Sequence, residues 1–271
     1  MLATELASPV VLAVWTTRQL WFDGLVNGMV FGLLALGVVL VYRSTRVINL
    51  AVGNMGLPAS GLMGVRVINY GFPYWAALAL ALLVDISVGA IVERAIIRRL
   101  FDAPRVIVLV ATIGVAQLMQ AVLASFPEIE RVRGQRYPVP LGFQWNDVFG
   151  LRITGPKLTI LILVPLLAIG LSWFLNRTVF GQTVQASASN ADLARMSGID
   201  PKTVQLFVWT VAGLLSSISL LLLSGNRGSI TGMANLGPNT MSRALVAAVI
   251  AGMVSFPRAI IAGLAIGVAQ A

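Results

Sequence analysis

The chain has 271 residues, of which 58% are hydrophobic and 11% are charged, and its formal net charge is +9. So few polar residues cannot cover the surface of a soluble domain, in which the charged share is typically about 25%. Because Cys and His are both absent, the sequence excludes disulfide scaffolds, Cys or His zinc sites, His-ligated haem and His-based catalytic triads, and it indicates an integral membrane protein.

The first 22 residues contain a short apolar run but lack the basic start of a secretory signal peptide. The start is acidic at Glu5, and Trp15 and Trp21 are side chains that favour a membrane interface. We therefore expect residues 1–22 to form an interfacial segment ahead of a transmembrane domain over residues 23–271.

Stretches of about 20 mainly apolar residues predict transmembrane helices. The strong spans are residues 24–42, 67–92, 106–126, 158–175 and 203–224. Residues 47–65 form a more polar span, and residues 244–256 and 259–271 form two short ones. The apolar runs are continuous and do not alternate, which argues against a β-barrel. The sequence thus predicts an all-α polytopic bundle of roughly eight membrane segments.

The span 47–65 is predicted to be a discontinuous helix. Its polar and helix-breaking residues are Asn49, Gly53, Asn54, Gly56 and Pro58. Irregular backbone at membrane depth is tolerated where it faces protein or a water-filled cavity, so these residues either line a translocation path or pack tightly. Asn27 faces the same cavity in the first case and makes an interhelical hydrogen bond in the second.

Asp85 is the one carboxylate well inside a strong span. An acid at that depth is a functional candidate, either in a proton relay or paired with an arginine or a polar group near one end of the span. No second acid lies at membrane depth to receive a proton, so the pairing is favoured.

The connections between spans leave the orientation open, because residues 93–105 and 127–157 are both basic and lie at opposite ends of one span. Residues 228–240 form a polar run that contains several glycines. We expect an outer loop there, with a re-entrant turn as the alternative.

Residues 177–202 are moderately polar and lie between two strong spans. Gly181 is expected to break the chain after Leu175, Asn190 to start a helical turn as its N-cap, and Gly198 to end that turn. The pattern predicts one or two short helices across the membrane surface. On pattern alone this segment is either an ordinary interhelical loop or a docking element for a soluble partner.

Several motifs occur in one order along the chain. The polar segment supplies Gly181, Ala188, Asn190, Asp192, Ala194, Arg195, Gly198 and Ile199. It is preceded by Asn27-Gly28, by the run Val47-Ile48-Asn49-Leu50-Ala51 with Gly53, and by Glu93-Arg94, and it is followed by Ser255-Phe256-Pro257. Together they resemble the branched-chain amino acid permease family of ATP-binding cassette (ABC) importers. The resemblance covers most of residues 23–271, and the end of the chain inside an apolar run at Ala271 leaves a fragment and a divergent member as alternatives.

This resemblance implies a permease subunit in the inner membrane of a bacterium, with a cytoplasmic coupling loop at about residues 177–202 and with residues 127–157 outside. The expected path for branched-chain or related small amino acids is lined by Asn27, Asn49, Gly53, Asn54 and Pro58. The implied partners are separate ABC ATPase subunits, a second permease chain in a homo- or hetero-pair, a periplasmic or lipid-anchored solute-binding protein, and membrane lipid.

No phosphate-binding loop of the GxxxxGK[ST] type occurs in the sequence, so ATP hydrolysis is expected from another chain and not from this one. We accordingly expect no catalytic residue, no metal site, no cofactor and no nucleic-acid partner. An ion-coupled secondary transporter of a small solute is the alternative function, and it would need no ATPase.

Overall fold

The computed structural model describes residues 9–101, 103–132, 134–148, 150–230 and 233–271, with side chains from residue 18 onward except at positions 146–148 and 191. The α-helices are α1 (Pro9–Thr45), α2 (Val52–Met55), α3 (Leu57–Tyr70), α4 (Tyr74–Val92), α5 (Arg105–Ala124), α6 (Glu128–Arg131), α7 (Gly155–Arg177), α8 (Val179–Ser189), α9 (Ala191–Met196), α10 (Pro201–Arg227), α11 (Leu236–Ile250) and α12 (Phe256–Ala269). A π-turn (Glu93–Ile97) and a 3₁₀ turn (Arg98–Leu100) extend α4, and a further 3₁₀ turn (Met233–Asn235) precedes α11.

Five helices of the described chain are long and apolar enough to cross a membrane: α1, α4 with its extension, α5, α7 and α10. The shorter helices α3, α11 and α12 correspond to the other three of the roughly eight segments expected from the sequence. In the apolar parts of α1 and α10, 83% and 61% of the residues are buried inside the protein, against 17% in α7. Helices α1 and α10 therefore form the centre of the bundle, and α7 presents apolar side chains such as Ile162 and Ile169 outward.

Glycines bring α1 and α12 into backbone contact. A Cβ atom on Gly28 would lie 2.7 Å from the carbonyl oxygen of Gly263, and a Cβ on Gly24 would lie 2.7 Å from that of Gly267. Within a membrane, where apolar side chains gain little by leaving lipid, small residues four apart let two helices pack by close backbone approach. This contact fixes the last described helix against the first.

The connection between α5 and α7 contains elements that the continuous apolar runs did not predict. Strand β1 (Gln144–Val148) pairs with strand β2 (Leu151–Thr154) in an antiparallel hairpin. The same connection returns into the bundle at Tyr137, which is 3% exposed and donates a hydrogen bond from its hydroxyl to the Ser60 carbonyl oxygen at 2.9 Å. It thereby covers one end of α3 and α10.

The expected interfacial segment has no backbone boundary at residue 22. Helix α1 runs without interruption from Pro9 to Thr45, and Trp21 is 54% exposed on it. Asp23 accepts hydrogen bonds from Gln19 and from Lys157 at the start of α7, the latter at 2.5 Å. A location of residues 9–22 at the membrane interface stays a prediction.

We expect Gly28→Ala to destabilise the protein by about 1–3 kcal/mol, because the added methyl group forces α1 and α12 apart. Thermal unfolding in detergent measures this cost. Gly114→Ala on α5 is the matched control, since nothing lies within 4 Å of a Cβ atom there. Equal melting temperatures for the two variants would contradict the packing account.

Candidate coupling surface and translocation path

The segment 177–202 folds as the two short helices α8 and α9, as its sequence predicts. The expectation that Gly181 breaks the chain is wrong, because α7 ends at Arg177 and Thr178 is the extended residue at the corner (φ −95°, ψ 154°). The Thr178 hydroxyl caps α8 by accepting a hydrogen bond from the Gly181 N–H at 3.1 Å. The corner forms because Thr178 follows α7 directly and caps α8. The sequence analysis assigned this corner to the nearby Gly181.

Gly181 lies inside α8, where it permits contact with the preceding helix. It is buried, and a Cβ atom there would collide with the carbonyl group of Leu175. Gln185, one turn further on, donates a hydrogen bond to that same carbonyl oxygen at 3.1 Å. The ring of Phe180 packs 4.5 Å, centroid to centroid, from that of Phe207 on α10. Helix α8 is thus fastened to both α7 and α10.

Helix α9 is capped at both ends by residues that the sequence analysis singled out. The Asn190 side chain accepts hydrogen bonds from the N–H groups of Asp192 (3.0 Å) and Leu193 (3.1 Å), which confirms it as the N-cap. Gly198 follows the helix with a φ of +79°, a left-handed conformation that glycine adopts without strain. The Ile199 N–H returns to the Ala194 carbonyl oxygen at 2.9 Å and closes the end of the helix.

Helix α9 presents an apolar outer face. Leu193 is 60% exposed and Met196 is 85% exposed, whereas Ala194 on the opposite face is buried. Arg195 pairs with Asp192 at 3.1 Å and lies over the ring of Phe101, which follows the α4 extension. Ala188 is half-buried near the end of α8. The structure therefore brings the predicted coupling residues into one surface element.

Asp200 joins this surface element to α10 by capping the first turn of that helix. Hydrogen bonds from the Thr203 hydroxyl and from the N–H groups of Lys202 and Thr203 hold the pKa of its carboxyl below the usual range. A carboxylate at a helix N-terminus is also favoured by the helix dipole.

The predicted discontinuous helix breaks at Gly56, between α2 and α3, and Pro58 occupies the first turn of α3. The hydroxyl group of Ser216 on α10 accepts a hydrogen bond from the Gly56 N–H at 2.8 Å and donates one to the Val52 carbonyl oxygen. The Asn49 side chain accepts a hydrogen bond from the Ala51 N–H at 2.9 Å, just before α2. One serine and one asparagine therefore satisfy backbone groups that the break releases.

Gly53 and Asn54 face α11 and α5. A Cβ atom on Gly53 would lie 2.8 Å from the Gly237 carbonyl oxygen, and Asn54 donates to the Ala116 carbonyl oxygen at 3.1 Å. Gly237 belongs to the first turn of α11, so the outer-loop expectation for residues 228–240 is wrong from Leu236 onward. Thr231 and Gly232 of that run lie outside the described residues. The contact with α2 buries Leu236 and Gly237, whereas Pro238 and Asn239 of the same turn are exposed.

Asn27 lies apart from the other predicted path residues. Its side-chain oxygen accepts a hydrogen bond from the Asn226 amide at 3.0 Å. Both asparagines line a cavity of about 460 Å³, whose wall also includes Asp23, Arg227 and Arg243. Asn49, Gly53, Asn54 and Pro58 are instead packed together inside the bundle around α2.

Asp85 is fully buried in α4 beside Ser217 of α10. Neither of its carboxylate oxygens has a hydrogen-bond partner among the described residues. The ion pairs found in the described ranges are Arg98–Glu93, Lys157–Asp23 and Arg195–Asp192, so the expected arginine partner is not observed there. Asp85 lies in the middle of α4, which itself contains no Lys or Arg.

A sequence profile of the family described as "Branched-chain amino acid transport system / permease component" matches residues 20–271. The chain belongs to this permease family. It is a transport permease of the ABC importer type and a multi-pass membrane protein, and the family match does not favour the alternative of an ion-coupled secondary transporter.

Curated relatives resemble the permease over most of its length. It is 26% identical over 260 residues to the high-affinity branched-chain amino acid transport system permease protein BraD of Pseudomonas aeruginosa, covering 92% of this chain and 83% of BraD. It is 26% identical over 267 residues to LivH of Escherichia coli, a permease protein of the same description, covering 93% and 84% of the two chains. The fructose import permease protein FrcC of Rhizobium meliloti is 27% identical over 215 residues, covering 77% and 56%. No solved structure matches the permease.

Sequence reasoning missed the polar face of α10. Ser216, Ser217 and Ser224 are fully buried, and Ser224 lies 3.0 Å from Ser60 of α3, oxygen to oxygen. The sequence feature that could have predicted this polar face is the group of hydroxyl side chains within a span that hydropathy alone marks as purely apolar. Such groups in a membrane helix identify the face that bonds to neighbouring helices.

Replacing Ser216 with alanine leaves the Gly56 N–H and the Val52 carbonyl oxygen without this partner inside the bundle. We expect a loss of about 1–3 kcal/mol, the usual cost of an unsatisfied buried polar group. Ser87→Ala is the matched control, because that exposed hydroxyl bonds only to a carbonyl of its own helix. If chemical unfolding in detergent gives the same stability for both variants, the role assigned to Ser216 is wrong.

Proposed function

We propose that this permease forms the translocation path of an ABC importer for branched-chain or related small amino acids. A solute-binding protein delivers the solute, a second permease chain completes the path, and separate ATPase subunits dock on the surface formed by α8 and α9. The site of action is the inner membrane of a bacterium, with α8 and α9 on the cytoplasmic side.

The geometry of α8 and α9 carries the proposal. An ordinary interhelical loop needs neither two capped helices nor an outward apolar face, and this one has both. Leu193 and Met196 give a soluble partner an apolar anchor, and the Arg195–Asp192 pair supplies a polar rim. Buried apolar anchors with a polar rim are the usual arrangement of protein interfaces.

Helix α10 connects this surface to the broken helix. Its first turn is capped by Asp200, which lies directly after the coupling helices, and its middle holds the break at Gly56 through Ser216. A displacement of α8 and α9 by an ATPase is thereby passed to α2 and α3 through a rigid element. Two-state elements that contact both sites are the physical requirement for such coupling.

The proposed path residues are Asn27, Asn49, Gly53, Asn54 and Pro58. Four of them surround the break, where side-chain amides and freed backbone groups can bond to a polar solute once the helices separate. Asn27 lines the cavity at the opposite end of α10 from the coupling surface. The amino-acid substrate is inferred from the family and from the names of BraD and LivH, whereas FrcC is named for fructose.

Gly198→Pro tests the coupling role. Proline cannot adopt the φ of +79° at this position, so the end of α9 must rearrange. The tagged chain is coexpressed with an untagged ABC ATPase encoded in the same genome, and we expect that ATPase to copurify in detergent with the unsubstituted chain. With Gly198→Pro, stimulation of ATP hydrolysis by the solute-binding protein is expected to fall by about tenfold or more, equivalent to about 1.4 kcal/mol of lost coupling.

Gly71→Pro is the matched control, because Gly71 has a φ of +62°, also ends a helix, and lies at the end of α3 away from the coupling surface. It should disturb the fold by a similar amount and leave the stimulation intact. Failure of any ATPase to copurify with the unsubstituted chain contradicts the proposal, and so does full stimulation in Gly198→Pro.

A further inference from the structure

Residues 134–140, in the connection from α5 to α7, form a strap across the ends of α3 and α10 that lie away from the coupling surface. The Tyr137 N–H donates a hydrogen bond to the Gly228 carbonyl oxygen at 3.2 Å, and the Ile230 N–H donates one to the Gln135 carbonyl oxygen at 3.4 Å. These bonds form a single antiparallel bridge between the strap and the chain that follows α10.

The strap has little conformational freedom of its own. Pro138 and Pro140 fix their own φ and keep the residue before each of them out of the helical region, so this stretch stays extended. Val139, between the two prolines, packs on α10, because a Cβ atom on Gly225 would lie 3.4 Å from its Cγ1 atom. We therefore expect the strap to move on and off the bundle as one unit.

Three hydroxyl groups form a chain of hydrogen bonds beneath the strap, and all three residues are buried. The Tyr137 hydroxyl donates to the Ser60 carbonyl oxygen at 2.9 Å, and its oxygen lies 3.2 Å from the Ser60 hydroxyl oxygen. The Ser60 oxygen in turn lies 3.0 Å from the Ser224 hydroxyl oxygen. Because each hydroxyl has one proton, Ser60 donates to Tyr137, and Ser224 donates to Ser60.

These hydroxyl groups continue a polar seam between α3 and α10 that begins at the helix break. Ser216 of α10 bonds to Gly56 at the break, and about two turns further along the same face Ser224 meets Ser60 of α3. Polar groups inside a membrane bundle are costly and commonly mark a solute or ion pathway. The side chain of Tyr137 closes the end of this seam.

We propose that the seam between α3 and α10 is the outer half of the translocation path and that the strap is its gate, held closed by Tyr137. The inference rests on the proposed function, because it extends the path outward from the helix break. When the strap lifts, Tyr137 leaves the seam and water reaches Ser60 and Ser224. Their hydroxyl groups can then bond to a polar solute on its way to the break.

The test measures how fast a single cysteine in the seam reacts with a charged, membrane-impermeant thiol reagent, with the full chain in nanodiscs. The chain has no native cysteine. Leu220→Cys places the thiol one turn from both Ser216 and Ser224, at a position that is fully buried while the strap is closed. Nanodiscs expose both faces of the membrane, so the rate does not depend on which face is outside.

Tyr137→Phe removes the hydroxyl group and keeps the ring. In the Leu220→Cys chain we expect it to raise the labelling rate by about tenfold, because the lost hydrogen bonds favour the closed strap. Tyr70→Phe is the matched control, since it removes an exposed hydroxyl group from the same helix, α3, and should leave the rate unchanged.

A second cysteine position separates opening of the gate from unfolding of the bundle. Val164 is fully buried in α7, and cysteine has a similar volume, so Val164→Cys reacts only when the bundle itself opens. We expect it to stay unlabelled with and without Tyr137→Phe.

A faster reaction at Leu220→Cys alone supports the gate. An unchanged rate at this position in Tyr137→Phe overturns the proposal, and so does an equal rise at Val164→Cys, which would report unfolding. The assay contains no ATPase, so a failure of the gate and a failure of ATPase copurification are separate results.

Discussion

Backbone groups released where a helix breaks within a membrane must find hydrogen-bond partners inside the protein. In this permease the hydroxyl group of Ser216 on α10 meets that requirement at Gly56, because it accepts from the Gly56 N–H at the break and donates to the Val52 carbonyl oxygen in α2. The broken helix is therefore held by α10. Any movement that separates these two elements opens polar backbone at the centre of the bundle.

Helix α10 also contacts the coupling surface formed by α8 and α9. Phe207 packs against Phe180 of α8, and Asp200 caps α10 immediately after α9. Helix α10 thus contacts both the docking surface proposed for an ATPase and the helix break proposed to line the path. Because helices are stiff and their cores are closely packed, a small displacement at one end is carried as a rigid-body shift to the other.

The sequence alone was sufficient for the class of fold, the membrane segments, the break near Gly56 and the cap at Asn190, since each has a local signal in hydropathy or in helix punctuation. The sequence was insufficient for features that arise from tertiary contacts. The corner at Thr178, the burial of Gly237 against α2 and the β-hairpin depend on neighbours distant in sequence. The same holds for Asp85. The sequence shows that Asp85 lies deep within a membrane span, but it does not show that Ser217 is its neighbour.

Distance measurement between spin labels tests the transmission through α10 most directly, and the absence of native cysteine makes the labelling specific. One label replaces Tyr70 at the end of α3, and the other replaces Trp145 in the hairpin, which is tied to α1 by a hydrogen bond from Arg152 to Gln19. With the ATPase bound, the account predicts that trapping nucleotide shifts this distance and that Ser216→Ala reduces the shift. Identical distances in the nucleotide-free and nucleotide-trapped states would contradict it.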